Sequence, residues 1–136
     1  TIEEGLSSHS YGTIMKIVST SSPTTKSVSY ACSKTSAAKD KAVLGVYSSD
    51  FSNFEEEEMQ NLHSIFALGD GHILVCSEGG DIEIGDYICS SNTAGHGMKQ
   101  DDDLLHNYTV AKASEAVTWA SESGATKLIA CTYHAA

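Results

Sequence analysis

The sequence predicts an all-β domain, a single compact unit of short antiparallel strands and hairpins, barrel-like or sandwich-like, with little helix. Three observations lead there. Apolar and polar residues alternate over short runs, glycine-rich turn clusters separate those runs, and no segment carries an apolar stripe at helical spacing. The clearest case is residues 72–98, HILVCSEGGDIEIGDYICSSNTAGHGM, where Ile73 and Val75, Ile82 and Ile84, and Tyr87 and Ile88 read as three antiparallel strands. Between them stand Glu78-Gly79-Gly80-Asp81 and Gly85-Asp86, with Asn92 to Gly97 following, and glycine lets the chain reverse sharply there.

Taken in order, residues 1–11 read as an exposed lead-in, since Glu3-Glu4-Gly5 and Ser7-Ser8 offer little to a core. A first strand is expected over residues 12–19, where Ile14, Met15, Ile17 and Val18 cluster, followed by a loop, TSSPTTK, around the sole proline, Pro23. Val28, Tyr30 and Cys32 alternate as in a half-buried strand. Residues 34–41 form a loop or one helical turn, and residues 42–47, AVLGVY, are short and β-branched enough for a core strand.

From residue 48 to 61 the pattern fails, and Glu55-Glu56-Glu57-Glu58 argues for a solvated excursion, with cation binding as the alternative. Residues 63–68 return to the core, Gly69-Asp70-Gly71 turns, and the glycine-punctuated unit begins. Residues 99–107, KQDDDLLHN, form an acidic loop and residues 108–115 a strand. The last segment reads as a hairpin, with Val117 and Trp119 before a turn and with Leu128, Ala130 and Thr132 alternating against Ile129, Cys131 and Tyr133. Trp119 is a core aromatic of that hairpin.

The 136 residues suit one domain burying about two-thirds of its unfolded surface. No run approaches the ~20 apolar residues that span a bilayer, and the opening TIEEGLSSHS has no leader pattern, so neither membrane insertion nor a secretory leader is expected. With 18 acidic and 8 basic side chains the net charge is −10, which repels phosphate backbones and anionic lipid and argues against nucleic-acid binding. Cys32, Cys76, Cys89 and Cys131 lack C-x-x-C spacing and read as small buried hydrophobes in a reducing compartment, with disulfides the alternative. No paired Cys/His ligand spacing suggests zinc, so no metal and no cofactor is expected.

Ser90-Ser91, His96 and Asp86 contain the residue types of a hydrolase site, yet no G-x-S-x-G elbow surrounds them, and serines before Asn92-Thr93 suit a turn that caps its own backbone. His72 and His96 sit beside glycines as ordinary loop histidines. In a trimer, one such histidine per chain meeting at the axis would offer a metal or anion site.

The succession GTIMKIVS at residues 12–19, VLGV at 43–46, ALGDGHILV at 67–75, GDIEIGDYICSSNTAGHGMKQ at 80–100, TVAKASE at 109–115 and KLIACTYH at 127–134 resembles the C-terminal domains of phage tail-fibre and neck-appendage proteins. These are the intramolecular-chaperone, self-cleaving domains classed among the glutamic peptidases. The sharpest piece is G-x-I-x-x-G-D-x-I-x-S-S-x-x-x-G-x-x-M-K, and the likeness spans residues 12–134 through the order of its motifs.

The resemblance implies a C-terminal assembly domain that follows an upstream fibrous shaft of its own polypeptide and promotes its homotrimerisation. It implies release by self-cleavage in some members, and a place on the virion after synthesis in the host cytoplasm. A chain that opens on Thr1 suits a released product. Two routes to such a cut are open: the Thr1 hydroxyl as nucleophile, or Glu3 and Glu4 as a carboxylate pair that activates water and protonates the leaving amine. Mutual repulsion raises one pKa of such a pair and keeps a proton available, and a glutamic family favours this route. The alternative from a different class is a small self-standing hydrolase or ligand-binding protein, with residues 69–71 and 92–97 as its pocket rim.

Overall fold

The computed structural model describes residues 9–25, 27–50 and 63–134. It is all-β, as the sequence predicts. The strands are β1 (Ile14–Thr24), β2 (Ser27–Lys34), β3 (Val43–Asp50), β4 (His63–Phe66), β5 (Leu68–Cys76), β6 (Tyr87–Ser90), β7 (Gly97–Lys99), β8 (Thr109–Ala113) and β9 (Thr126–His134). The first four form a sheet in the order β2-β1-β3-β4, and the other five close into a barrel in the order β5-β7-β6-β8-β9. The acidic run at residues 55–58 lies outside the described residues, as do Thr1, Glu3 and Glu4.

Alternation sets what each layer buries. On β9, Ile129, Cys131 and Tyr133 point into the barrel while Thr126, Leu128 and His134 face out. Ile73 and Val75 of β5, Ile88 of β6 and Val110 of β8 fill the same interior, and each is fully buried. Ile14, Val43 and Val46 extend this core from the sheet, with Phe66 packed against it. Met15, Cys32 and Tyr47 lie in a separate cluster with Leu44 and Ile65. Both faces of the sheet are therefore apolar. Ordinary alternation sends Val43 to one cluster and Leu44 to the other, and the irregularity between Met15 and Lys16 in the β1–β3 pairing lets Val43 and Val46, three residues apart, share a cluster.

The strands differ in detail from the sequence pattern. Gly69-Asp70-Gly71 is no turn: it lies inside β5 and pairs with Tyr133, Thr132 and Cys131. Gly71 is needed there because a Cβ would collide with the Tyr133 ring and hydroxyl. The TSSPT stretch continues β1, with Pro23 in the register shift between Ser21 and Thr24, where a missing N–H costs no ladder bond. Ile82 makes only an isolated bridge to Val117, and Ile84 is 72% exposed, so the expected middle strand is absent. Trp119 belongs to a 3-10 turn, its N–H groups held by the Asp81 carboxylate and the Gly80 carbonyl. Its ring still packs on the core, while β9 pairs with β5 and β8 instead of closing a terminal hairpin.

The barrel has one weak seam. β5 and β9 are matched over nine consecutive residue pairs, from Leu68↔His134 to Cys76↔Thr126, but β5 meets β7 through Val75↔Gly97 alone. A side chain and a backbone carbonyl from elsewhere engage His72 and Leu74 along that edge. The Tyr133 hydroxyl accepts from His72 N at 2.7 Å and donates to His72 O at 2.6 Å, and Leu74 N donates to Gly12 O at 2.9 Å. Tyr133→Phe leaves the part-buried His72 N–H and C=O without their partner and should cost about 1 kcal/mol or more. Gly71→Ala overpacks the same point and should cost a similar ~1–3 kcal/mol. Urea unfolding of the two variants tests both, and midpoints equal to the parent's would refute the seam's importance.

Candidate functional site

The serine, histidine and aspartate nominated as a hydrolase constellation do not converge. Ser91 Oγ accepts from Thr93 N at 3.1 Å and donates to His96 O at 2.8 Å, which ties the 91–96 turn to itself. Ser90 Oγ is likewise engaged, accepting from Asp40 N and donating to Ala37 O. Both serines are fully buried. The His96 ring turns to its own Ala94 carbonyl, and the Asp86 carboxylate accepts from Glu83 N. This is the self-capping turn that the sequence suggests.

Residues 69–71 and 92–97 meet β5 at different levels. Gly97 pairs with Val75, four residues beyond Gly71 on a strand that rises about 3.3 Å per residue. Gly95, at φ +72°, packs instead against Thr13, and its carbonyl accepts from Ile14 N.

The four cysteines are free and buried. Burial pushes the Cys89 thiol up to about 11 and Cys131 up to about 12, so neither is poised as a nucleophile at neutral pH. Burial also raises Tyr133, in keeping with its role as a neutral hydrogen-bonding group.

A second polar cluster organises the acidic loop after β7. Gln100, 2% exposed, donates through Nε2 to Leu104 O and to the Asp102 carboxylate, and its Oε1 accepts from Thr109 Oγ1. His106 contacts Asp102 at 2.9 Å, and this hydrogen bond is the main reason the Asp102 pKa is lowered. The His106 ring stacks on Tyr108, and Lys39 reaches over Tyr108 to pair with Asp101 at 2.8 Å. The arrangement braces a loop. Among the described residues no group of His, Cys, Asp and Glu has metal-binding geometry.

The remaining candidate is a surface. On the outer side of the β5–β9 ribbon, Leu68, Asp70, His72 and Leu74 stand opposite His134, Thr132, Ala130 and Leu128. Leu68 is 76% exposed and Leu128 40%, and Tyr11, 38% exposed, lies across the middle with its hydroxyl 3.1 Å from His72 Nδ1. Tyr11 is fixed further by edge-to-face contact with Phe66, whose ring stacks on Tyr133. Asp70 and Lys112 flank Thr132 on either side, so the one acid on this face has a base two strands away. The alternation of Leu128, Ala130 and Thr132 is visible in the sequence. The β5 half of the face is not, because two glycines disguise the strand as a turn.

Thr1, Glu3 and Glu4 lie outside the described residues. Comparison of the chain with family models, curated proteins and solved structures gives no match.

The raised thiols make a pH prediction. A thiol whose folded pKa lies above its unfolded value, near 9.0 here, contributes stability in full below that value and loses it as pH climbs toward the folded pKa. The urea midpoint should therefore fall between about pH 9 and pH 12, with Cys89→Ser/Cys131→Ser flattening that fall. A parent midpoint that is level through this window would contradict the assignment.

Proposed function

We propose that this domain is an assembly module that joins copies of itself into a homotrimer and thereby holds an upstream fibrous shaft in register, as at the end of a phage tail fibre or appendage. The observation that carries the reading is the outer face of the β5–β9 ribbon. It is half apolar, through Leu68, Leu74, Ala130 and Leu128, is partly exposed, and carries a single acid, Asp70, on a chain of net charge −10. Copies that approach through their acidic surfaces repel one another, whereas this face holds one acid, Asp70, with the base Lys112 on the far side of Thr132.

Its energetics favour association. Fully covering a leucine side chain contributes roughly 1.5–3 kcal/mol, and Leu68 and Leu128 are each exposed enough to gain a substantial share. Nine ladder pairs hold the face rigid before contact, so little backbone order is lost on binding. A threefold arrangement repeats that gain at each subunit contact.

Self-cleavage belongs to the same proposal. Glu3 and Glu4 act as the carboxylate pair, with the Thr1 hydroxyl as the rival nucleophile, and the cut releases the domain once the shaft has assembled. The resemblance to self-cleaving appendage domains supports this part, and a virion location follows from it.

Two experiments test the proposal. Sedimentation velocity should give a trimer at neutral pH, and Leu68→Thr/Leu128→Thr should weaken it by about tenfold or more while leaving the β circular dichroism intact. A monomer at the highest soluble concentration would overturn the assembly role. Separately, a chain extended upstream should yield two fragments by intact-mass spectrometry, and Glu3→Gln/Glu4→Gln should give one uncut mass. Cutting that persists in that variant but stops in Thr1→Val would move the chemistry to the hydroxyl.

A further inference from the structure

Two histidines occupy the otherwise neutral β5–β9 face. His72 and His134 are both exposed, one at the middle of the ribbon and the other at its end opposite Leu68. His72 Nδ1 lies 3.1 Å from the Tyr11 hydroxyl, and His134 Nε2 lies 3.1 Å from Thr132 Oγ1 with the Tyr87 ring edge-on at 6.5 Å. These partners are hydroxyl groups, which can donate to a neutral imidazole or accept from a protonated one, so neither hydrogen bond opposes a change of charge.

We propose that proton uptake by His72 and His134 releases the copies from one another, so that assembly holds at neutral pH and is undone in mild acid. The inference rests on the reading of the β5–β9 face as the contact between copies. Histidine is the side chain whose ordinary titration falls between about pH 5 and pH 8. Neutral imidazoles can be covered by an apolar contact at modest cost. Imidazolium groups cannot, and two per copy add like charges across every contact.

The groups around them give little compensation. His72 faces Tyr11 from the segment before β1 and Tyr133 from β9, with Asp70 in the same row of β5. The nearby Glu115 carboxylate is engaged by Ala130 N at 2.9 Å and stands 3.9 Å from Lys127. His134 faces Tyr87 from β6, and among the described residues the neighbouring strands place Asp70 of β5 and Lys112 of β8 on either side of the adjacent Thr132. One carboxylate could offset one imidazolium, but this face carries a single Asp70 for two histidines, and Lys112 stands on the other side of Thr132 from it.

Covering the histidines favours their neutral form, so the assembled state binds fewer protons than the free copies, and lowering the pH must drive dissociation. The association constant should fall by about tenfold or more per pH unit below pH 6. Sedimentation velocity from pH 8 to pH 5 measures this, with circular dichroism at each pH confirming that the separated copies stay folded. In His72→Gln/His134→Gln the ratio of association constants at pH 8 and pH 5 should approach one, whatever the strength at pH 8. His106→Gln, which lies in the braced loop and off this face, should keep the parent's pH profile.

A trimer equally stable at pH 5 and pH 8 overturns the proton control and leaves the assembly role standing. A monomer at pH 8 overturns both. Dissociation that persists unchanged in the double glutamine variant assigns the effect to other groups and also overturns the proposal.

Discussion

The pairing of β5 with β9 is the constraint on which the molecule depends. It runs without a register shift over nine residue pairs, whereas the β1–β2, β1–β3, β3–β4 and β6–β8 pairings each contain an irregularity. Because side chains alternate strictly along it, one unbroken ladder fixes two faces together. Ile73, Val75, Ile129, Cys131 and Tyr133 are committed to the interior, and Leu68, His72, Leu128 and His134 are left outside. A slip by one residue would exchange the two sets. The core and the candidate contact surface are thus specified by the same register.

Polar side chains complete what the ladders leave open. The Tyr133 hydroxyl serves both backbone groups of His72 at the seam, Gln100 and Asp102 brace the loop between β7 and β8, and Ser91 closes the turn before β7. Each lies where strand pairing runs out. Paired polar groups in these places are the expected way for a small barrel with short strands to avoid buried unsatisfied groups. They also explain why residues that look like catalytic types in the sequence are fully occupied with holding the fold.

Much of the fold was legible because β9 keeps period-two alternation, with Ile129, Cys131 and Tyr133 buried on one side, while the continuous apolar run of β3 marks a strand with apolar neighbours on both faces. The buried cysteines were legible too, from their apolar strand contexts. The glycines misled. Gly69 and Gly71 read as a turn, yet Gly71 is small to admit the Tyr133 ring, a contact between residues far apart in sequence that no local window reveals. Ile82 and Ile84 alternate like a strand, but only Ile82 finds a partner, and alternation cannot report whether another chain segment is there to pair. The candidate surface was half visible for the same reason: its β9 side alternates cleanly, and its β5 side depends on recognising the disguised strand.

The distance along the chain between the two halves of that ladder has a consequence for synthesis. The nearest pair, Cys76 with Thr126, joins residues about fifty positions apart. At a ribosomal rate of roughly 5–20 residues per second, β5 waits on the order of 3–10 s for its partner to be made. During that interval Ile73 and Val75 lack the cover of Ile129 and Cys131, and the long edge of the strand that β9 will pair with is free. Nascent chains crowded on one message would be exposed to each other at the moment when strand exchange between them is easiest.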